Sequence, residues 1–486
     1  MIITQEQAVL KSQQQLQSMV RYVQAAASDD QRIDLVEREV FSQLLAIGLT
    51  LLESFVAAHG DGDAGEEVEI DQRKLRRLTR PQQRRYLSIF GELSIARVVY
   101  AVRQGQKIEH APLDQQLGLP ASEFSHVLED WLQRLCVKES FTEAITSLKS
   151  ILGIAPSQRA AEVMNQNMAR QSEQFQLQKT PPPPNEEGEI MIVTSDGKGV
   201  PMRRPLEQKI RDGNSQQSKK ERAGKKQMAY VGGIYSIDRF HRTAEDVVDD
   251  LRRKQRAADR PQPQHKHVWA EMTSDDEEVI ASGRERTFIQ LAVECNRRDP
   301  TGNKPVVCLL DGEKALWTMA AEWLPQAVGV LDLFHVLERL WAVAWCVHAK
   351  GSLQSQAFVD HHLRMLLEGK VGYVIGGLRR LAVAHNLRGE KLKTVKAAIT
   401  YYENNRQHMR YDEYLAAGYP IGSGVAEGAC RHLVKDRLEG TGMRWTVTGA
   451  QSMLSLRAIH LNDQWDDYVN FRIQSEQNRL YRQTAA

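Results

Sequence analysis

An α/β domain that carries an all-α block, preceded by a mainly α-helical region, is the fold class this sequence predicts. Three observations predict it. Helical periodicity dominates residues 1–60 and 123–171, whereas 190–331 alternates short apolar strand-like runs with helical segments. A long helical stretch follows the last of those runs. Between the two regions stands Thr180-Pro181-Pro182-Pro183-Pro184-Asn185-Glu186-Glu187-Gly188, a proline run that favours an extended spacer and has no core periodicity around it.

The chain's 486 residues suffice for about three domains, and its 42% hydrophobic content suffices for a sizeable core. Lysine plus arginine number 64 against 62 acids, a net charge of +2. That balance excludes a histone-like or strongly acidic protein but leaves nucleic-acid binding open, because a local basic face is enough. Cys136, Cys295, Cys308, Cys346 and Cys430 lie far apart with no CxxC pair. Neither a disulfide scaffold nor a closed cysteine zinc site is expected, and a reducing compartment is the natural setting. The start, MIITQEQAVLKSQQQ, lacks the basic and apolar regions of a signal peptide, and no membrane-spanning stretch is expected. A soluble intracellular protein is the expectation.

Each element follows from local pattern. Leu35, Val36, Val40, Leu44, Leu45, Ile47, Leu51 and Leu52 recur at helical spacing until Gly60-Asp61-Gly62 stops the run. This apolar face packs either on the rest of the chain or on a second copy. Tyr86–Phe90 and Leu93–Tyr100 flank Gly91-Glu92 as a hairpin would. Arg73, Lys74, Arg76, Arg77, Arg80, Arg84 and Arg85 lead up to it and read as a solvated charged loop. Phe141, Ala144, Ile145, Leu148, Ile151 and Leu152 form a helical stripe broken by Gly153, with Pro156 where a next helix begins. Helix, glycine turn and helix, with Arg159 near the start of the second, is the outline of a DNA-reading helix-turn-helix and, more commonly, of an ordinary helical hairpin.

The second half opens on Ile190–Thr194, ending at Ser195-Asp196-Gly197. From Arg203 to Lys226 run nine Lys/Arg against three acids. Strand signals recur at Tyr230–Tyr235 and His267–Met272, an amphipathic helix covers Thr287–Cys295, and buried-type strands lie at Val306–Leu310 and Val328–Leu331. Three strands, helix, strand, helix, strand is the ribonuclease H-like order, here with a helical block set in before the last helix.

Carboxylates just beyond buried strands are held rigidly and can face a cleft, which is where Asp196 and Asp311 are expected. Oxygen ligands of this kind suit magnesium, and two such ions can serve phosphoryl transfer; the alternative is that each Asp-Gly is merely a turn. The stretch Gly418-Tyr419-Pro420-Ile421-Gly422-Ser423-Gly424-Val425-Ala426-Glu427 is a glycine-rich loop entering a helix, on which Glu427, Arg431 and Lys435 follow at i, i+4, i+8. An acid that holds metal beside two cations that meet phosphate fits this stripe, as does a surface salt bridge. A nucleotide-cradling loop fits poorly, since the stretch is not GxxxxGK[ST]. Asp332 and His335 follow the last strand, and the His335 imidazole either touches a metal or a phosphate or anchors the strand end through a hydrogen bond near the site.

With these residues in view, the chain resembles bacterial insertion-sequence transposases of the DDE class, in the Kra-type group allied to Mutator-like elements. The matching stretches are SDGKGVPMRR (195–204), VVCLLDGEKALW (306–317), LDLFHVLERLWAVAW (331–345), MRYDEYLAAGYPIGSGVAEGACRHLVKDRLEGTGMRWT (409–446) and GAQSMLSLRA (449–458). The resemblance spans roughly 190–465. It implies that Asp196, Asp311 and Glu427 are the three acids, binding two Mg²⁺ (or Mn²⁺) ions, and that Asp332 and His335 match the (C/D)xxH signature of Mutator-type relatives. The cysteine pairs that some relatives carry in the N-terminal part do not occur here.

The same resemblance implies binding of an element's terminal repeats and of target DNA, a homodimer or larger assembly, no membrane, and a bacterial cytoplasmic location at the nucleoid. Arg203, Arg204, Lys225, Lys226, Arg431, Lys435, Arg444 and Arg159 become candidate DNA contacts, with a solvated loop and a core Trp445 as the bland alternatives. The implied divisions are a helical segment at 1–60 with oligomerisation as one use, a DNA-binding region at 61–180 and a linker at 181–188. A ribonuclease H-like core at 189–335, a helical insertion at 336–408, and the third-acid and C-terminal helices at 409–486 complete them. The rival functions are a transposase-derived DNA-binding protein without catalysis and a structure-specific nuclease.

Overall fold

A computed structural model describes residues 4–70, 72–203, 226–252, 260–274, 281–422 and 424–481, with the side chains of Ala426 and Glu427 outside the description. Two units divide the chain: Met1–Phe175 with Gln464–Ala486, and Gln176–Asp463.

The first unit begins with two helices, α1 (Gln5–Ser28) and α2 (Ile33–Ala58), where one long helical segment was expected. A capping box at Thr4 and Gln7 starts α1, since the Thr4 hydroxyl and the Gln7 amide satisfy two otherwise orphaned amides. Leu49, Leu52 and Val56 of α2 pack against Leu93, Ile95, Leu113 and Leu119, so one apolar face does pack on the chain. By length and composition α2 could cross a membrane, contrary to the expectation that no stretch is apolar enough.

Strands β1 (Glu67–Ile70), β2 (Arg73–Arg77) and β5 (Tyr100–Ala101) form one small sheet, and β3 (Gln82–Ser88) pairs with β4 (Gly91–Arg97). The basic run is therefore not a loop. Its charges are largely matched: Arg76 pairs with Glu67, Arg73 with Glu109, Arg77 with Asp63, and Arg84 and Arg97 share the buried Asp114. The hairpin turns at Ile89-Phe90, two residues earlier than Gly91-Glu92, because the Ser88 hydroxyl donates to the Gly91 carbonyl and accepts from the Phe90 amide. After a short α3 (Pro112–Gln116), helices α4 (His126–Cys136), α5 (Phe141–Leu152) and α6 (Gln158–Ala169) pack on one another, followed by α7 (Ser172–Gln178). Gly153 ends α5 at φ 72°, a left-handed cap that favours glycine, and Ser157 caps α6.

The second unit is built on a five-stranded sheet of β6 (Ile190–Pro201), β7 (Lys226–Ile237), β8 (Gln264–Met272), β9 (Val306–Leu310) and β10 (Val328–Leu331). Its spatial order is β10-β9-β6-β7-β8, with β6, β7 and β8 antiparallel and β9 and β10 parallel to β6. Between strands come α8 (Ala244–Arg252), α9 (Gly283–Arg298) and α10 (Lys314–Trp323). The alternation along β6 sorts the core. Met191 and Val193 pack with Phe288 and Leu291 of α9 and with Leu316 of α10.

Ile190 and Ile192 face the other way, into one continuous core with α11 (Leu333–Val347), α12 (Leu353–Leu367), α13 (Val371–Ala384) and α14 (Gly389–Asn404). The expected helical insertion is thus one layer of the unit, and its boundary at 335/336 falls inside α11. Then follow α15 (Tyr411–Ala416), α16 (Gly424–Ala429), a π-helical turn at Cys430–Lys435, α17 (Asp436–Leu438) and α18 (Val447–Leu461), which packs on β8.

The last helix, α19 (Trp465–Tyr481), belongs to the first unit, which departs from the expected 409–486 division. Its attachment is specific. Arg472 lies 2.6 Å from the buried Glu129 carboxylate, the Trp465 indole N–H donates to Asp130 at 2.6 Å, and Tyr468 donates to the Met168 carbonyl. At the other boundary the proline run ends on Glu187, whose carboxylate is buried against Arg298, with Nε donating to Oε1 at 2.5 Å.

Candidate active site

Ser195 pairs with Leu310 across the parallel β6–β9 ladder, so Asp196 and Asp311 are the next residues on neighbouring strands. Such strands run about 4.8 Å apart, which brings the two carboxylates into one locality. One of the two settings differs from what was expected. Asp196 is not beyond its strand but within it, because β6 continues to Pro201 and Gly197 still pairs with Tyr230. The turn reading therefore fails for Asp196. Asp311 does leave its strand: Gly312 adopts φ +93°, and the Asp311 carboxylate accepts from the Glu313 amide at 2.9 Å.

The helix that follows the glycine-rich loop lies against this pair. Backbones of α16 and the π-turn pack on β6 and β7. Glu427 is on α16; its side chain lies outside the described residues. Cys430, one turn later, has its thiol hydrogen-bonded to the Asp196 carboxylate, a partner that residue type alone did not suggest. The available signal was spacing, since i and i+3 share a helix face.

Burial pushes the Asp196 carboxyl up from the ordinary aspartate value, and the Asp311 charge acts in the same direction. The Cys430 thiol, the Gly197 amide and the charge of His335 oppose that rise. Burial, with the Asp196 charge beside it, drives the Cys430 thiol well above its usual range, so it stays a neutral donor. Two mutually repelling carboxylates with hard oxygen donors are a setting that a divalent cation relieves, so these residues fit magnesium or manganese. Among the described residues no three His, Cys, Asp or Glu side chains form a metal-holding group, and the Glu427 carboxylate is not in that set.

The acid-bearing loops are fixed from behind by tyrosines that the sequence reading did not single out. Tyr401 donates its hydroxyl to the Asp311 carbonyl at 2.6 Å, under the Arg339 guanidinium 5.0 Å from the ring. Tyr411 donates to the Leu331 carbonyl at 2.8 Å, Tyr414 to Gly329 at 2.9 Å and Tyr402 to Val336 at 3.0 Å. Their clustering over 401–414 was the visible hint. Gly312 is needed here, because a Cβ would stand 2.9 Å from both Leu331 and the Tyr401 hydroxyl in addition to its positive φ. Gly312→Ala is expected to destabilise the second unit by about 2–3 kcal/mol, read from urea unfolding; a loss within error would mean the loop relaxes freely.

Asp332 is buried and caps α11, accepting from the Phe334 amide at 2.7 Å. His335 stands 3.7 Å from Glu338 and close enough to Asp196 to pull its carboxyl down.

The candidate DNA contacts fall into separate places. Arg203 and Arg444 are exposed on adjacent segments, joined where the Arg203 amide donates to the Trp445 carbonyl at 2.7 Å. Trp445 itself is core: buried, its indole donating to the Leu438 carbonyl, with Arg437 over its ring. Lys226 is exposed and pairs with Glu439 at 2.6 Å. Arg204 and Lys225 lie outside the described residues. Arg431 and Lys435 are both exposed, but on a π-helical turn, so the α-helical i, i+4, i+8 geometry does not hold. Arg431 stands 3.7 Å from Asp436. Arg159 is exposed on α6 in the first unit.

No protein-family model matches the chain, and no curated protein is similar to it. Among solved structures it is similar to the Drosophila P element transposase strand transfer complex, at 9% identity and a TM-score of 0.24, over 74% of this chain and 84% of that one. At that TM-score the likeness is too loose to assign a fold or an activity.

Proposed function

We propose that this protein is a DDE transposase of a bacterial insertion sequence, on a ribonuclease H-like domain. The observation that carries the reading is that Asp196 and Asp311 each follow directly on the paired residues Ser195 and Leu310 of neighbouring parallel strands, with the helix of Glu427 against the first of these strands. The sheet order, an antiparallel meander with two parallel strands added beside its first, is that of the ribonuclease H-like fold and supports it.

In this reading Asp196, Asp311 and Glu427 hold two Mg²⁺ (or Mn²⁺) ions, which when bound activate the attacking oxygen and stabilise the leaving one in an in-line displacement. Cys430 orients the Asp196 carboxylate, and Tyr401 fixes the loop that presents Asp311. Water cleaves the scissile phosphodiester at the element end, and the freed 3′ hydroxyl then attacks target DNA. Joining two ends requires at least two copies of the chain.

The test is strand transfer by the purified full chain, with duplexes copied from the DNA flanking its own reading frame and a supercoiled target. Joined products support the reading. Cleavage without joining favours a nuclease, and binding without cleavage a DNA-binding derivative.

Arg431, Lys435, Arg203 and Arg444 serve as phosphate contacts, which position DNA without reading its sequence. Lys435→Ala should weaken matched and scrambled ends equally and lower the salt slope of binding by roughly one unit. An unchanged slope with a lowered melting temperature would make Lys435 a structural residue. Terminal-repeat reading is assigned to the first unit, with Arg159 at the start of α6. A fragment ending at 180 would lack α19, so the proper comparison is full-length Arg159→Ala on matched and scrambled ends.

A further inference from the structure

Strand β6 outruns its parallel neighbour. It pairs with β9 as far as Ser195 and Leu310, then continues to Pro201 along β7. Alternation along this extension puts Asp196, Lys198 and Val200 on one face, successive side chains being about 6.6 Å apart. Val200 is buried and Lys198 is half-buried. Lys198 therefore follows the first acid on the acid's own face. Opposite it on β7 stands Ala229, whose methyl is too small to cover it, and on the other flank β9 has already ended before Asp311.

The fold does not use this cation. Lys226, at the far end of the same ribbon, is held by Glu439 at 2.6 Å, but among the described residues no carboxylate lies within ion-pair distance of Lys198. Its charge nevertheless reaches the site. Burial and Asp196 raise the Cys430 thiol, and the Lys198 ammonium acts against that rise. A half-buried ammonium beside a place for divalent ions is unfavourable until an anion joins them.

We infer that Lys198 is a catalytic residue whose ammonium donates to a non-bridging oxygen of the scissile phosphodiester, beside the oxygens that the metal ions hold. The inference rests on the phosphoryl-transfer reading of this site. In an in-line displacement the transferring group's charge is spread over its equatorial oxygens, so a fixed cation there stabilises the transition state. Lysine supplies a compact point charge on a four-carbon stem, long enough to pass Asp196. Its part differs from that of Arg431, Lys435, Arg203 and Arg444. Those residues set how tightly DNA is held, whereas Lys198 sets how fast it is cut.

Single-turnover cleavage by the full chain, on duplexes copied from the DNA flanking its reading frame, is the test. At saturating DNA, Lys198→Gln should cut about 100-fold or more slowly, with its DNA dissociation constant within about threefold of wild type. Lys198→Arg, which restores the cation, should recover most of that rate. Without DNA the sign reverses. Lys198→Gln should bind Mn²⁺, followed by electron paramagnetic resonance, about threefold tighter or more, because a like charge has been removed from beside the ion. Should Lys198→Gln melt well below wild type, Lys198→Met keeps the packed stem and takes its place. Undiminished cutting, a loss confined to DNA affinity, or weakened Mn²⁺ binding would each overturn the inference while wild-type cleavage still supports the site. A wild type that cuts no DNA would overturn the inference together with the reading it rests on.

Discussion

Asp196→Asn and Asp311→Asn are each expected to lower metal-dependent DNA cleavage by about 10³-fold or more, because each removes a charged oxygen donor from a site that works by charge stabilisation. DNA binding should stay near wild type. Stability gives a second, independent readout. The Asp196 carboxyl is raised in the folded chain by burial first and by Asp311 as well. A raised value means the folded protein holds the proton more tightly than the unfolded one. That contribution is fully present below the unfolded aspartate value and disappears as pH rises through the folded value. At neutral pH the buried charge therefore works against folding. Asp196→Asn should melt higher than wild type near neutral pH, and the difference should vanish in acid. Scanning calorimetry across pH measures this. A variant that loses cleavage and also melts lower at neutral pH would make Asp196 a structural carboxylate.

Arg298→Ala is expected to cost about 3–5 kcal/mol, the largest stability effect of any single substitution considered, since it strands a buried carboxylate. Arg298 is 2% and Glu187 8% exposed, and the guanidinium also donates to the His265 carbonyl at 3.1 Å. Burial pushes the Glu187 carboxyl up, but the Arg298 hydrogen bonds outweigh it and hold it below the ordinary glutamate value. This stabilisation is present above the unfolded glutamate value and is lost as pH falls through the lower folded value. Arg298→Met combined with Glu187→Leu should recover most of the loss, since the pair's net worth is small once both charges are gone. Urea unfolding of the single and double variants decides this. Equal losses in both would mean that shape, not charge, holds the end of the proline run in place.

How much of this was legible differs from residue to residue. The second unit's elements were readable because the buried stretches of β6, β7, β9 and β10 appear as short, mostly apolar runs. Strand ends were less so: the Asp196-Gly197 pair looks like a turn locally, and only pairing with β7 keeps it extended. The arginine run likewise looked like a solvated loop. Its acids, Glu67, Glu109, Asp63 and Asp114, come from other segments, and no local pattern announces ion pairs across such distances. The apolar content of α2 is of membrane length although Gln43, Thr50 and Ser54 interrupt its apolar run, because these three lower its mean hydropathy little.

By itself the sequence determined where the two kinds of structure begin, most of the helices, the strands of the second unit, and which acids follow its apolar runs. These are local matters of periodicity, capping and proline geometry. Only the tertiary structure decided that Asp196 and Asp311 share a register, that Cys430 and Tyr401 hold them, that the helical block is a layer of the sheet's core, and that α19 returns to the first unit. The reason is physical: each depends on contacts between residues far apart in the chain, and such contacts are selected by burial and hydrogen-bond satisfaction in three dimensions, which no window of sequence contains.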